Sequence, residues 1–288
     1  MPELLFIVPA GNLDTLHRTL SMLSFQKDHD FRTCVVNFTG SGFEALEAEF
    51  EQRLRLSVVM PEQSGAPLWQ SCLEAAPAAE WVCFLGTDVD LTADSVRRMR
   101  RCIKDHSSYD VFHWNLADPH RKYGLKTAPG KLFCKVFVDG EAAPLSSFVF
   151  RAQTLRDAFA ADPEAAGMDL AVVLSGAKKT GIRSARRERV GYRPAEPAAD
   201  PALMEKEIRA RLAFFRWSER FFGDDYPLGT GDRLDLFART LAQLYPSYTQ
   251  EELKEDLNTF AVVSGPVRKM RASSALKSAL KQRQESLR

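Results

Sequence analysis

Asp88 and Asp90 follow directly on the apolar run Trp81-Val82-Cys83-Phe84-Leu85, separated from it only by Gly86 and Thr87. An unbroken run of bulky apolar residues is how a strand reads when both faces of its sheet are covered. The two carboxylates therefore fall just beyond the carboxyl end of a buried strand, where open α/β sheets bind ligands. At i and i+2 they could share one hard divalent cation, Mg²⁺ or Mn²⁺, and leave positions open for phosphate oxygens. The same residues also suit an ordinary turn, with Thr92 and Asp94 opening the next helix.

A third carboxylate, Asp169, stands after Gly167-Met168 at the start of an apolar helical stretch. There it could take a proton from a hydroxyl, or simply complement the helix dipole. Asn37 and Thr39 close another apolar run and could hydrogen-bond a ligand or shape a turn. Arg183, Arg186, Arg187, Arg189 and Arg193 form a basic run opposed only by Glu188. Such a run could clamp a diphosphate or form a solvated face. The five histidines show no metal-binding spacing; His120 lies in a polar stretch that could cover a site.

The elements that would position these groups alternate regularly over the first half. Leu4 to Val8, Thr33 to Asn37, Leu56 to Met60, the central run and Asp110 to Trp114 read as strands. Between them, Leu13-Leu16-Leu20-Leu23, Phe43-Leu46-Phe50-Leu54 and Val96-Met99-Ile103 recur at helical spacing. Such alternation predicts a largely parallel, right-handed α/β sheet. Residues 118–130 read as a loop, Leu132 to Val138 and Ser147 to Arg151 as strands, and Thr154 as the opening of a short helix. A proline- and alanine-rich stretch, Arg193 to Pro201, reads as a linker. After it the pattern is helical, with a capping box at Thr249 and Glu252. The expected division is an α/β domain over residues 1–195 and a helical region over 196–288.

Among the 288 residues, 45 % are hydrophobic and 27 % charged, and the net charge is +1. That balance supports a sizeable core and gives no general case for nucleic-acid binding. Five cysteines in no close pairs favour a reducing compartment. Neither a membrane-length apolar run nor a signal-peptide pattern is present, so the expectation is cytoplasmic. Val267 to Arg288 carries seven Lys or Arg against Glu285, with Leu276, Leu280 and Leu287 on one side. This stretch could contact an anionic membrane surface peripherally, at its inner face, or dock on neighbouring helices.

In order and spacing, the first 190 or so residues resemble the family-two glycosyltransferases of GT-A fold. Leu5-Phe6-Ile7-Val8-Pro9-Ala10-Gly11-Asn12 is similar to that family's opening strand and turn, and Gln26 falls where its first helix ends. Val35-Val36-Asn37 through Gly40-Ser41 resembles its second strand and acidic turn, and Phe84-Leu85-Gly86-Thr87-Asp88 its metal motif. Phe150-Arg151 ahead of Gly167-Met168-Asp169 resembles its arginine-bearing strand and acidic pair. The resemblance implies transfer of a sugar from a nucleoside-diphosphate donor to a hydroxyl of a saccharide or lipid-linked acceptor, with inversion. Asp88 would then bind Mn²⁺ or Mg²⁺, Asp90 would be a second ligand, and Asp169 would be the general base. Pro9, Ala10, Asn37, Thr39, Gly65 and Thr87 would line the donor. The chain departs from the pattern at Asn37 and Thr39, at Ser71-Cys72, at Gly86 and at Met168. Those departures also fit a protein that keeps the fold to bind or scaffold.

Overall fold

The computed structural model describes residues 2–10, 13–40, 43–62, 65–116, 126–193, 200–245, 247–260 and 263–287. The chain divides into two compact units, Met1–Val136 with Gly140–Ala195, and Phe137–Asp139 with Glu196–Arg288.

In the first unit, β1 (Leu4–Ala10), α1 (Leu13–Ser24), β2 (Arg32–Asn37), α2 (Glu44–Leu54), β3 (Leu56–Val59), α3 (Leu68–Ala75) and β4 (Trp81–Phe84) alternate. These four strands pair in parallel, with Pro9 and Ala10 beside Val36 and Asn37, and Ile7 beside Phe84. Next come β5 (Val89–Asp90), α4 (Ser95–Asp105), β6 (Val111–Leu116), β7 (Lys126–Thr127), α5 (Pro129–Phe133), β8 (Phe148–Arg151), α6 (Ala152–Ala161), α7 (Asp169–Ala177) and β9 (Ile182–Tyr192). The sheet order is β3-β2-β1-β4-β8-β6-β9-β5, and β7 pairs with β9. Strand β8 runs antiparallel between β4 and β6.

Strand alternation sorts the core into two layers. Leu4, Phe6, Val8, Trp81, Cys83 and Leu85 share one cluster with Leu16, Leu20 and Leu23 of α1 and Val96, Met99 and Ile103 of α4. Burying each such side chain stabilises the fold by about 1.5–3 kcal/mol. On the other face Phe84 meets Trp69 of α3 and Phe150 of β8. Gln26, 2 % exposed after α1, accepts from the Val96 amide and holds the start of α4.

One expectation is corrected. Leu132 to Val138 is not a strand: α5 ends at Phe133, and Cys134–Val138 continues as a wider π turn. A short apolar run reads equally as strand or buried helix, and Pro129 in the first turn pre-sets the helical backbone. Four arginines of the basic run, Arg183, Arg186, Arg187 and Arg189, fall in β9, an eleven-residue strand, and Arg193 follows it. The register of β9 with β6 slips, for His113 faces Ser184 and Asn115 faces Arg189, so residues 185–188 face Trp114 alone. Of the loop expected over 118–130, residues 118–125 and His120 lie outside the described residues. So do 194–199 of the linker, Gly11, Asn12 and Ser41.

The second unit contains α8 (Pro201–Phe222), α9 (Thr230–Ala242), α10 (Gln250–Leu257) and α11 (Pro266–Ser286). Its centre is a ladder of rings in which Phe137 meets Phe215, Phe215 meets Phe237 and Phe237 meets Phe260, with centroids 4.1–4.3 Å apart. The capping box forms as expected: the Thr249 amide donates to Glu252 and the Glu252 amide to Thr249 Oγ1. Leu276 and Leu280 of α11 are buried, and the helix packs on α9. Two of the three leucines of that apolar side, Leu276 and Leu280, are thus used inside the unit, while Leu287 is 52 % exposed. No helix among the described residues is long and apolar enough to cross a membrane.

Candidate functional site

Leu85 still donates its amide to Ile7 of β1 at 2.9 Å, so the chain leaves the sheet only at Gly86. The turn that follows is tied at both ends. Ser146, in the turn before β8, accepts from the Gly86 amide at 2.8 Å and donates to Asp88 Oδ1 at 2.7 Å. At the far end the Arg193 amide donates to the Asp88 carbonyl at 2.8 Å. The Asp88 carboxylate folds back over Gly86, where a Cβ would lie only 2.8 Å from Asp88 Oδ1. Glycine at this position makes room for the carboxylate to rest on Ser146.

Asp169 opens α7. Its Oδ1 accepts from Trp69 Nε1 at 2.8 Å, and Trp69 packs against Phe84 with centroids 5.0 Å apart. Asp169 is open to solvent on one side, yet it sits among enough protein atoms that desolvation pushes its carboxyl above the usual aspartate range. The Trp69 hydrogen bond pulls the other way, and the negative charge of Asp88 raises the carboxyl further. Through Trp69, Asp169 is tied to Phe84, the last residue of β4, so it comes to the strand end that the Asp88 turn follows. A carboxylate raised by desolvation is a better proton acceptor than a fully solvated one.

The donor-side expectations fall along the same edge. Pro9 and Ala10 end β1, with Ala10 buried. Asn37 ends β2, where its Oδ1 accepts from both the amide and the hydroxyl of Thr39 at 2.9 Å. That is an Asx turn, so this oxygen shapes the backbone. Gly65 has φ +68°, a left-handed conformation that favours glycine, and Thr87 is exposed.

Asp90 behaves differently from Asp88. In β5 it is ion-paired to Arg193, with Arg18 at 3.6 Å, and Gly191 lets the two strands close in on it. A cation at this turn would find the Asp88 carboxylate, held by the Ser146 hydroxyl, and no cluster of three acidic, histidine or cysteine ligands exists among the described residues. One carboxylate with substrate oxygens and water is a usual donor set for Mg²⁺, so Asp88 fits the group and Asp90 as posed does not. Arg151, instead of facing this space, pairs with Asp110 at 2.9 Å and lies over the Trp81 ring.

Ser146 and Trp69 were not among the expected site residues. They lie 58 and 100 residues from the acids they touch, and neither residue type points to such a role by spacing.

These strands in this order make a GT-A-like fold, which is that of solved glycosyltransferases. S. aureus TarS 1–349 in complex with UDP-GlcNAc superposes with a TM-score of 0.59 at 14 % identity, covering 100 % of this chain and 91 % of that one. The mannosyltransferase PcManGT from Pyrobaculum calidifontis, in complex with GDP-Man and Mn²⁺, gives 0.53 at 16 %, covering 98 % and 88 %. No protein-family model and no curated protein sequence matches the chain.

Proposed function

We propose that the protein transfers a sugar from a nucleoside-diphosphate donor to a hydroxyl of a saccharide or lipid-linked acceptor. The observation that carries this is that Trp69 ties Asp169 to Phe84 at the end of β4, the strand whose exit turn carries Asp88 on Ser146. The GT-A neighbours with UDP-GlcNAc and GDP-Man support the donor class.

In this reading Asp169 takes the acceptor's hydroxyl proton as the oxygen bonds to the anomeric carbon. The bond from that carbon to the diphosphate oxygen breaks on the opposite side, its electron pair leaves with the diphosphate, and the centre inverts. Asp88, oriented by Ser146, would hold Mn²⁺ or Mg²⁺, which supplies charge neutralisation to the leaving diphosphate. Pro9, Ala10, Thr39, Gly65 and Thr87 would border the nucleoside, with Asn37 setting the turn. We assign Asp90 to latching β9 through Arg193. Five free thiols suit a reducing, cytoplasmic setting.

A second reading, binding or scaffolding without chemistry, is favoured by the commitment of Asn37 Oδ1 and Asp90 to protein partners. Titration with UDP and GDP, with and without Mn²⁺, tests the first step, and a screen of nucleotide-sugars for donor hydrolysis tests the chemistry. Metal-dependent binding with turnover is the expected result. Binding without turnover of any donor favours the second reading, and no nucleotide binding at all rejects the transferase.

A further inference from the structure

A cleft of about 650 Å³ lies between α4 and the first residues of β9, away from the acidic edge. Arg98, Arg101, Cys102 and Asp105 line it at i, i+3, i+4 and i+7, one face of the helix. Arg98 has a partner within the chain, and two other arginines of α4 are paired as well. Arg97 pairs with Asp94 at 2.8 Å, and Arg100, 1 % exposed, pairs with Asp28 and Asp30. Arg101 makes no ion pair among the described residues.

The facing wall is β9. Arg183 donates to His106 Nε2 at 2.9 Å, since a guanidinium cannot accept. Arg183 Nε and Ser184 Oγ are buried without a partner among the described residues, and Ser184 is only 1 % exposed. Buried donors without acceptors cost stability, so a pair of them lining a cationic cleft points to an anionic ligand. Arg98 has a partner within the chain, so among the described lining residues Arg101 and Arg183 stand against Asp105, an excess of one positive charge.

We propose that this cleft binds a phosphoryl group of a soluble phosphate ester or diphosphate, without metal. Guanidinium forks and a serine hydroxyl match its several acceptor oxygens, and a recess suits a small anion better than a flat surface. The site is not the donor site. Arg183 lies opposite Phe112 at the start of β6, while the other end of β9 holds the Asp88 turn, roughly 20 Å away at strand spacing.

The test is calorimetric titration of the full chain with inorganic pyrophosphate in EDTA, beside vesicles containing phosphatidic acid. Wild type and Asp88→Asn are expected to bind pyrophosphate equally. Arg101→Gln, a change at an exposed position, is expected to weaken binding about tenfold. Ser184→Ala is expected to weaken it less, and vesicles not to bind. Vesicle binding that Arg101→Gln abolishes would assign the phosphoryl group to a lipid and overturn the soluble source. Absence of binding by wild type, equal binding by Arg101→Gln, or loss of binding in Asp88→Asn each overturns the proposal.

Discussion

At the scale of single residues, the two acids make separable contributions. Asp88→Asn is expected to remove Mn²⁺-dependent nucleotide affinity while leaving the fold intact, since the side chain lies beyond the sheet; equilibrium dialysis with UDP and GDP reads this. Asp169→Asn keeps an acceptor for Trp69 but cannot take a proton. Transfer should fall on the order of 10²–10⁴-fold with nucleotide binding unchanged. The same variant carries a stability signature. Because folding raises the Asp169 carboxyl, its ionised form costs stability once the pH exceeds its raised folded-state value, and below the unfolded-state value no cost remains. Asp169→Asn should therefore melt higher than wild type at pH 7, and the difference should vanish in strong acid. Trp69→Phe removes the hydrogen bond that lowers this carboxyl, so the acid limb of activity should move to higher pH. Both acids were legible because each follows a recognisable structural boundary, a strand end or a helix start. Their supports were not, because a hydroxyl or an indole reaches them only through the tertiary fold.

At the scale of elements, the parallel half was readable from its apolar runs and helical spacings, which are set by burial on both faces of the sheet. Two elements escaped for different reasons. In α5 a proline outweighed a run that looked like a strand, and in β9 an arginine-rich stretch concealed a strand that pairs with β6, β7 and β5. The far end of β9 yields its own test. Asp90→Asn breaks the ion pair to Arg193 that joins β5 to β9. Faster amide hydrogen exchange at Val89 and Tyr192 is expected, with a smaller loss of nucleotide affinity than in Asp88→Asn. Equal loss would restore Asp90 to the cation site.

At the scale of the whole molecule, the helical unit depends on its last helix. Deleting Val267 to Arg288 removes buried Ala272, Leu276, Ala279 and Leu280 and uncovers α9. At about 1.5–3 kcal/mol per buried leucine, that loss is large against the few kcal/mol that hold a small domain together. The truncated chain is expected to lose the helical unit's cooperative melting and retain nucleotide binding in the first unit. Liposome co-sedimentation of the intact protein is expected to be negative, because those leucines are occupied.

Phe137–Asp139 belongs to the helical unit although the chain on both sides belongs to the first. The Phe137 ring rests on Phe214 and Phe215, and Arg211 donates to its carbonyl. Those partners are encoded roughly eighty residues later, so at 5–20 residues per second the ribosome delivers them about 4–16 s after Phe137 itself. For that interval the Phe137 ring lacks the two rings, Phe214 and Phe215, on which it rests in the finished fold. The helical unit thus cannot finish folding from its carboxyl-terminal segment alone, and must recover a residue made long before.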